Sequence, residues 1–157
     1  MSAAGYSAMT GAAVGLVAAT AKSVIGVLSG AAFGLQLKSF EVAFDGVTAS
    51  AVPVLCELCQ CTFATQPPGT LSTTVTPVQI YGRVLAAGFT AARDWSTTQP
   101  TVITVVKEWL LTPNAGALFY QYPLGQEPDS ALSQGFTLRL TAPANVNCRA
   151  TVSVERM

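Results

Sequence analysis

The last third of the chain carries the pattern that most restricts its fold. Over residues 147–155 the side chains alternate in character: Cys148, Ala150, Val152 and Val154 share one face, and polar residues occupy the other. A period of two is the geometry of a β-strand with one buried face and one solvated face. The pattern therefore predicts a strand over Asn147–Glu155 that covers one side of a hydrophobic core.

Other segments show the same kind of composition. Runs rich in Val, Ile, Thr and aromatic residues, bounded by Gly, Pro or Asn, are typical of β-strands. The segment Ala86–Trp95 is ambiguous between a brief helix and a loop, and no long segment keeps a helical period. The further predicted strands are Ser23–Leu28, Leu35–Phe44, Ala51–Phe63, Thr101–Thr112, Leu118–Tyr122 and Gly135–Thr141.

The spacing of these strands indicates the fold class. They recur at intervals close to the ~8–12 residues expected of a sandwich or barrel. The chain has 157 residues, which favours one domain. About eight strands in one domain match a double-sheet jelly roll. We therefore predict an all-β protein, a jelly-roll-like β-sandwich that occupies residues 21–157.

Residues 1–20 differ from the rest because they are almost wholly Ala, Gly, Ser, Val and Met. No basic residue precedes Lys22, so the positive flank of a signal peptide is missing. Glycines interrupt the apolar span, which argues against a membrane helix. Side chains this small bury little area. We predict an extended N-terminal arm, either mobile or laid along a neighbouring subunit, with plain terminal disorder as the alternative.

Charge and histidine content exclude several classes of function. Only 10% of residues are charged and the formal net charge is zero, so a free monomer would be poorly protected against association. We infer that partners cover much of its surface. The neutral balance argues against nucleic-acid binding, which needs a basic field. The chain has no histidine, which removes the usual general base and metal ligand. We predict a protein that is not an enzyme and uses no cofactor.

Four cysteines remain, at Cys56, Cys59, Cys61 and Cys148. The first three have the spacing C-x-x-C-x-C, and a zinc site would need Cys148 as the fourth ligand. In a strand, Cys59 and Cys61 would share a face and Cys56 would point away. Buried free thiols are the favoured interpretation, because free Cys is among the most buried residue types. A structural zinc ion or a disulfide stays open at this point.

Two further groups of side chains are candidates for chemistry. Glu127 and Asp129 could serve acid–base catalysis or hold a cation, but a solvated loop or a subunit salt bridge explains them as well. Glu41 and Glu57 lie within predicted strands, where Lys38, Arg139 and Arg149 are possible ion-pair partners. The aromatic residues could line a ligand groove or belong to the core or an interface. They are Trp95, Trp109, Phe119, Tyr120 and Tyr122.

Four stretches of the chain look familiar together, and they are Phe44–Cys59, Thr76–Gln79, Pro123–Pro128 and Thr141–Ala150. They resemble a group of small structural proteins of tailed bacteriophages. The resemblance extends from about Phe40 to Glu155, roughly three quarters of the chain, and residues 1–20 lie outside it. Residues 59–66 are richer in cysteine than is usual for the group.

The resemblance implies a capsid decoration (cement) protein, made in the host cytoplasm and carried on the capsid surface of the virion. Its partners would be the major capsid protein and further copies of itself, as a homotrimer, with neither nucleic acid nor a membrane as a partner. The N-terminal arm would then clamp a neighbouring subunit, an inference from composition alone. The alternative function is a carbohydrate- or receptor-binding jelly-roll module of a phage tail or fibre, with an exposed Trp95 or Trp109 as its signature.

Overall fold

The computed structural model describes residues 3–45, 52–114 and 116–157, and these residues contain twelve β-strands and no helix. In chain order the strands are β1 (Gly5–Met9), β2 (Val14–Leu16), β3 (Ala21–Leu28), β4 (Leu35–Asp45), β5 (Val54–Cys61), β6 (Thr73–Val75), β7 (Val78–Tyr81), β8 (Thr90–Arg93), β9 (Val102–Leu111), β10 (Ala117–Gln121), β11 (Gly135–Thr141) and β12 (Val146–Arg156).

The strands form two antiparallel sheets of six strands each. In sheet A the order is β10-β4-β12-β1-β7, and β2 pairs with β12 beyond the end of β1. In sheet B the order is β6-β8-β3-β11-β5-β9. Most strands that are neighbours in a sheet are far apart in the chain. For example, β1 pairs with β12 and β3 pairs with β11. The fold therefore depends on pairing between the two halves of the chain.

The two sheets pack face to face as a β-sandwich around one main core. Sheet A contributes side chains such as Phe40, Val42 and Val152, and sheet B contributes side chains such as Ile25 and Leu138. Each of these residues is at most 2% exposed. Burying one large aliphatic side chain stabilises a fold by roughly 1.5–3 kcal/mol. The core between the two sheets therefore supplies most of the free energy that favours folding.

The strand pattern of the last third is confirmed. Strand β11 has the predicted bounds, and β12 extends the predicted segment by one residue at each end. Cys148, Ala150, Val152 and Val154 are all buried, as the alternation predicts. The other predicted strands also form. The ambiguous segment Ala86–Trp95 contains the short strand β8 rather than a helix.

The prediction of about eight strands is too low for the described residues, because short strands extend both sheets. Strand β2 pairs with β12 and β7 lies beside β1 in sheet A, and in sheet B β8 lies beside β3 and β6 lies beside β8. Strands of three to four residues, such as β2 and β7, are too short to show a clear alternation of side chains.

The extended N-terminal arm is not confirmed. Residues 5–9 form β1, which lies between β12 and β7 within sheet A, and residues 14–16 form β2. Tyr6, Ala8, Val14 and Leu16 are buried in the main core. The Tyr6 hydroxyl donates a hydrogen bond to the carbonyl of Leu85 at 2.9 Å. Small residues form a strand here because neighbouring strands supply the hydrogen bonds and the sheets bury the few large side chains.

Candidate binding surface on the outer face of sheet A

The outer faces of the two sheets differ in how they are covered. On sheet B, Cys59, Cys61, Phe63, Ala92 and Trp95 form a second buried cluster. The Trp95 indole is fully buried, and its Nε1 donates to the carbonyl of Gln66 at 3.0 Å. Asp94 adopts a left-handed backbone, with φ of 58°, immediately before Trp95. The chain's own loops therefore close this face, and sheet A presents the more open one.

The outer face of sheet A holds a depression of about 400 Å³. Strands β4, β7 and β12 supply most of its polar and aromatic side chains, and the loop after β10 supplies Leu124 and Glu127. Ile80, Tyr81 and Leu124 are exposed at its rim. A concave site with a few polar groups and an apolar rim is the usual form of a ligand site.

An ion-pair network centred on Lys38 lies at the floor of the depression. Lys38 Nζ lies 3.0 Å from Glu127 Oε1 and 2.9 Å from Glu155 Oε2, and it donates to Gln36 Oε1 at 2.5 Å. Glu127 also accepts a hydrogen bond from the backbone N–H of Gly125 at 2.6 Å. These contacts fix the orientation of three charged side chains on one face of the sheet.

The network shifts the ionisation of its members. Burial by itself would lower the pKa of Lys38, but its hydrogen bonds to Glu155 and Glu127 outweigh burial, and the pKa is raised. A backbone hydrogen bond and the bond from Lys38 lower the pKa of Glu127. The lysine and this glutamate therefore stay charged at neutral pH.

Tyr81 spans the face from β7 to β12. Its hydroxyl donates to Glu155 Oε2 at 3.1 Å, and its ring lies over Gly5 of β1, the strand between β7 and β12. A Cβ atom at Gly5 would overlap ring atoms of Tyr81. Burial and the hydrogen bond to Glu155 both raise the pKa of Tyr81. The ring therefore lies flat on the sheet with its hydroxyl anchored.

Glu127 and Asp129 do not converge on a common site. Glu127 joins the Lys38 network, whereas Asp129 is exposed and forms a backbone bridge with Gln36. Within residues 3–45, 52–114 and 116–157, no group of three or more His, Cys, Asp or Glu side chains could hold a metal ion. Of the predicted strand ion pairs, Glu57 meets Arg139, with Arg139 Nε 2.8 Å from Glu57 Oε2.

The four cysteines are free and buried. Cys56 lies in the main core, whereas Cys59 and Cys61 belong to the outer cluster of sheet B, so the predicted division of faces is confirmed. Burial raises the pKa of Cys56, Cys59 and Cys148 to about 12. Protonated, buried thiols are poor nucleophiles and poor metal ligands.

Of the aromatic residues singled out in the sequence, Tyr122 lines the depression, and neither tryptophan does. Trp95 is covered, and Trp109 packs against Phe40 and Tyr120 with ring centroids 5.0 and 5.6 Å apart. Phe119 is exposed on β10. Sequence reasoning missed Ile80 and Tyr81, because a four-residue strand shows no periodicity that would mark an exposed aromatic ring.

Among the described residues, no helix is long and apolar enough to cross a membrane. The chain matches no protein-family model, no curated protein and no solved structure.

Proposed function

We propose that this chain is a non-enzymatic structural protein of a tailed-phage virion, a decoration (cement) protein that binds the major capsid protein on the outer capsid surface as a homotrimer. The observation that carries the proposal is the combination of a β-sandwich with exposed apolar side chains along its edges and a formal net charge of zero. Surfaces of this kind gain from being covered by a partner.

The strand order supports the finer assignment to the jelly rolls. In four nested pairs, β1, β3, β4 and β5 lie beside β12, β11, β10 and β9 respectively. The chain thus resembles one long hairpin rolled into two sheets, which is how eight strands arranged as two Greek keys form a double-sheet jelly roll. The remaining four strands are short additions to this set.

The edge formed by β9 and β10 is our candidate for the contact between copies. Each is an edge strand, β9 in sheet B and β10 in sheet A, and the two edges meet where Trp109 of β9 packs against Tyr120 of β10, with ring centroids 5.6 Å apart. Leu110 is 70% exposed and Phe119 is 64% exposed, and Val105 and Val106 are exposed as well. Apolar and aromatic side chains of this kind form the core of stable interfaces.

Mechanically, such a protein would bridge neighbouring capsid subunits and oppose the outward pressure of packaged DNA. Its affinity would come from apolar burial multiplied over symmetric copies rather than from one strong site. We assign the bridging surface to the folded sandwich rather than to an N-terminal arm, because residues 5–9 and 14–16 are strands of sheet A.

The test is the mass of the purified protein in solution by light scattering, followed by add-back to particles that lack it. We expect a stable trimer that binds particles at a fixed stoichiometry. The variant Leu110→Asp/Phe119→Asp should dissociate the trimer, whereas Val17→Asp, at an exposed valine outside this edge, should not. A wild-type monomer that ignores particles would reject the capsid role.

A second candidate function is a carbohydrate- or receptor-binding module of a phage tail or fibre. The depression on sheet A favours it, because it combines the exposed ring of Tyr81 with polar groups on a rigid sheet. The tryptophan signature expected for this function is absent from the described surface, because Trp95 is buried and Trp109 is half-buried in an aromatic cluster. Particle add-back separates the two functions, because only a decoration protein should bind capsids at a fixed stoichiometry.

A further inference from the structure

The ring of Tyr81 is held in place as a flat surface. Gly5 leaves room for the ring to lie against β1, and the hydroxyl is anchored by Glu155. Glu155 is in turn held by Lys38. Tyr81 is nevertheless 45% exposed, so the side of the ring away from Gly5 is open to solvent. A side chain with both ends constrained loses little conformational entropy when a ligand stacks on it.

A row of hydrogen-bonding groups extends from this ring across β12, β4 and β10 on the same surface. Ser39 and Ser153 are cross-strand partners, and Gln121 pairs with Ser39 on the other side. All three line the depression together with the Lys38 network. Hydroxyls, an amide and carboxylates beside an exposed aromatic ring match the two sides of a pyranose, whose C–H face is apolar and whose edge carries hydroxyls.

The charges in the depression restrict the class of sugar. Two carboxylates, Glu127 and Glu155, accompany one ammonium, Lys38, so the floor carries a net negative charge. Lys38 already donates to Gln36 and lies within ion-pair distance of both carboxylates. An acidic sugar would meet repulsion from the net charge, whereas the hydroxyls of a neutral sugar can donate to the carboxylates.

We propose that the depression on the outer face of sheet A is a binding site for a neutral oligosaccharide, with one pyranose stacked on Tyr81 and the following units hydrogen-bonded by Ser153, Ser39 and Gln121. This inference rests on the second candidate function proposed above. It is independent of the capsid role, because the residues that line the depression lie outside the β9–β10 edge, except for Gln121 at the end of β10. On a decoration protein, this site would be displayed on the virion surface, where it could bind glycans.

The test uses the full chain on an array of neutral, amino and acidic glycans, followed by titration of the best neutral glycan. We expect neutral glycans to bind and sialylated or uronate-containing glycans to be rejected. Tyr81→Ala should weaken binding by about five- to tenfold, because it removes the aromatic stacking surface. Gly5→Ala should weaken it similarly, because the added methyl group displaces the ring.

Leu132→Ala is the control, because Leu132 is an exposed apolar residue outside both the depression and the β9–β10 edge, and its removal should leave glycan affinity unchanged. Thermal unfolding of each variant separates loss of the site from loss of the fold. Binding of acidic glycans in preference to neutral ones, unchanged affinity in folded Tyr81→Ala, or no binding to any glycan would each overturn the proposal. Tyr81→Ala should still bind capsids normally in particle add-back. This second measurement distinguishes a failure of the glycan site from a failure of the capsid role.

Discussion

The indole of Trp95 packs directly against Gly26, so that a Cβ atom at Gly26 would stand 3.0 Å from Trp95 Cη2 and 2.8 Å from Thr137 Cγ2. Gly26 lies on the outer face of sheet B, where Trp95 covers it together with Phe63 and the thiols of Cys59 and Cys61. The absence of a side chain at one strand position therefore allows a second buried cluster outside the main core.

Gly26→Ala should destabilise the protein by about 1–3 kcal/mol, because the fully buried indole cannot move away from the added methyl group. Trp95→Ala should cost more, about 3–5 kcal/mol, since it empties the cluster. Gly15→Ala is the control: its new Cβ would make only an ordinary contact, 3.6 Å from Asn147 Oδ1. Urea unfolding measures all three. Equal stability of Gly26→Ala and Gly15→Ala would contradict the close packing.

Deletion of residues 1–20 should abolish cooperative folding rather than release a dispensable arm. The deletion removes β1 from the middle of sheet A and takes Tyr6, Ala8, Val14 and Leu16 out of the core. Circular dichroism and thermal unfolding are the measurements, and a chain that lacks only residues 1–2 is the control. A deleted chain that unfolds at the wild-type temperature would restore the interpretation of this segment as an arm.

Loss of the Glu57–Arg139 ion pair should destabilise the fold more than loss of a surface pair. Arg139 meets Glu57 with two hydrogen bonds, of 2.8 and 3.1 Å, and both side chains are largely buried. Glu57→Ala leaves a partly buried guanidinium without its carboxylate, which should cost about 2–3 kcal/mol.

A control for this pair is Asp94→Asn, which removes the carboxylate from the ion pair with Lys22; the Asp94 side chain is 38% exposed, whereas that of Glu57 is 12% exposed. We expect that change to cost under about 1 kcal/mol in chemical denaturation. The interpretation fails if the two variants lose the same stability.

Stability should fall in alkaline solution because of the buried thiols. Burial raises the pKa of Cys56, Cys59 and Cys148 from 9.0 to about 12. Above pH 9 the unfolded chain therefore releases protons that the folded protein keeps, and stability declines until about pH 12. Each thiol contributes up to about 1.4 kcal/mol per pH unit in this window.

Cys148→Ala isolates that effect from the titration of other groups. Its unfolding free energy, measured by urea at several values between pH 8 and 10.5, should fall less steeply with pH than that of the wild type. Below pH 9 the two slopes should agree. In the same range the native thiols should resist a soluble disulfide reagent until the chain unfolds. Rapid modification of native protein at pH 8 would show that the thiols are accessible.

Local patterns were sufficient for most of the long strands. Alternation identified β12 and its buried face, because period two is a property of the extended backbone itself. The same alternation placed Cys56 on one side of β5 and Cys59 and Cys61 on the other. The opposed charges within strands also indicated an ion pair, although not which partner Glu57 would take.

The N-terminal strand could not be predicted from its own residues. Gly5, Ser7 and Ala8 have little strand preference, and β1 forms because β12 and β7 offer hydrogen bonds on both sides. The short strands β6, β7 and β8 depend in the same way on neighbours already in the sheets.

The sequence by itself determined that the chain is all-β, where most of its long strands run, and which of their faces are buried, because these follow from the alternation of neighbouring residues. Only the tertiary structure decided the strand order and the candidate site. Gly5, Tyr81 and Glu155 meet on adjacent strands although they are far apart in the chain. Their proximity arises from pairing between distant segments, and local periodicity carries no information about which distant strands will pair.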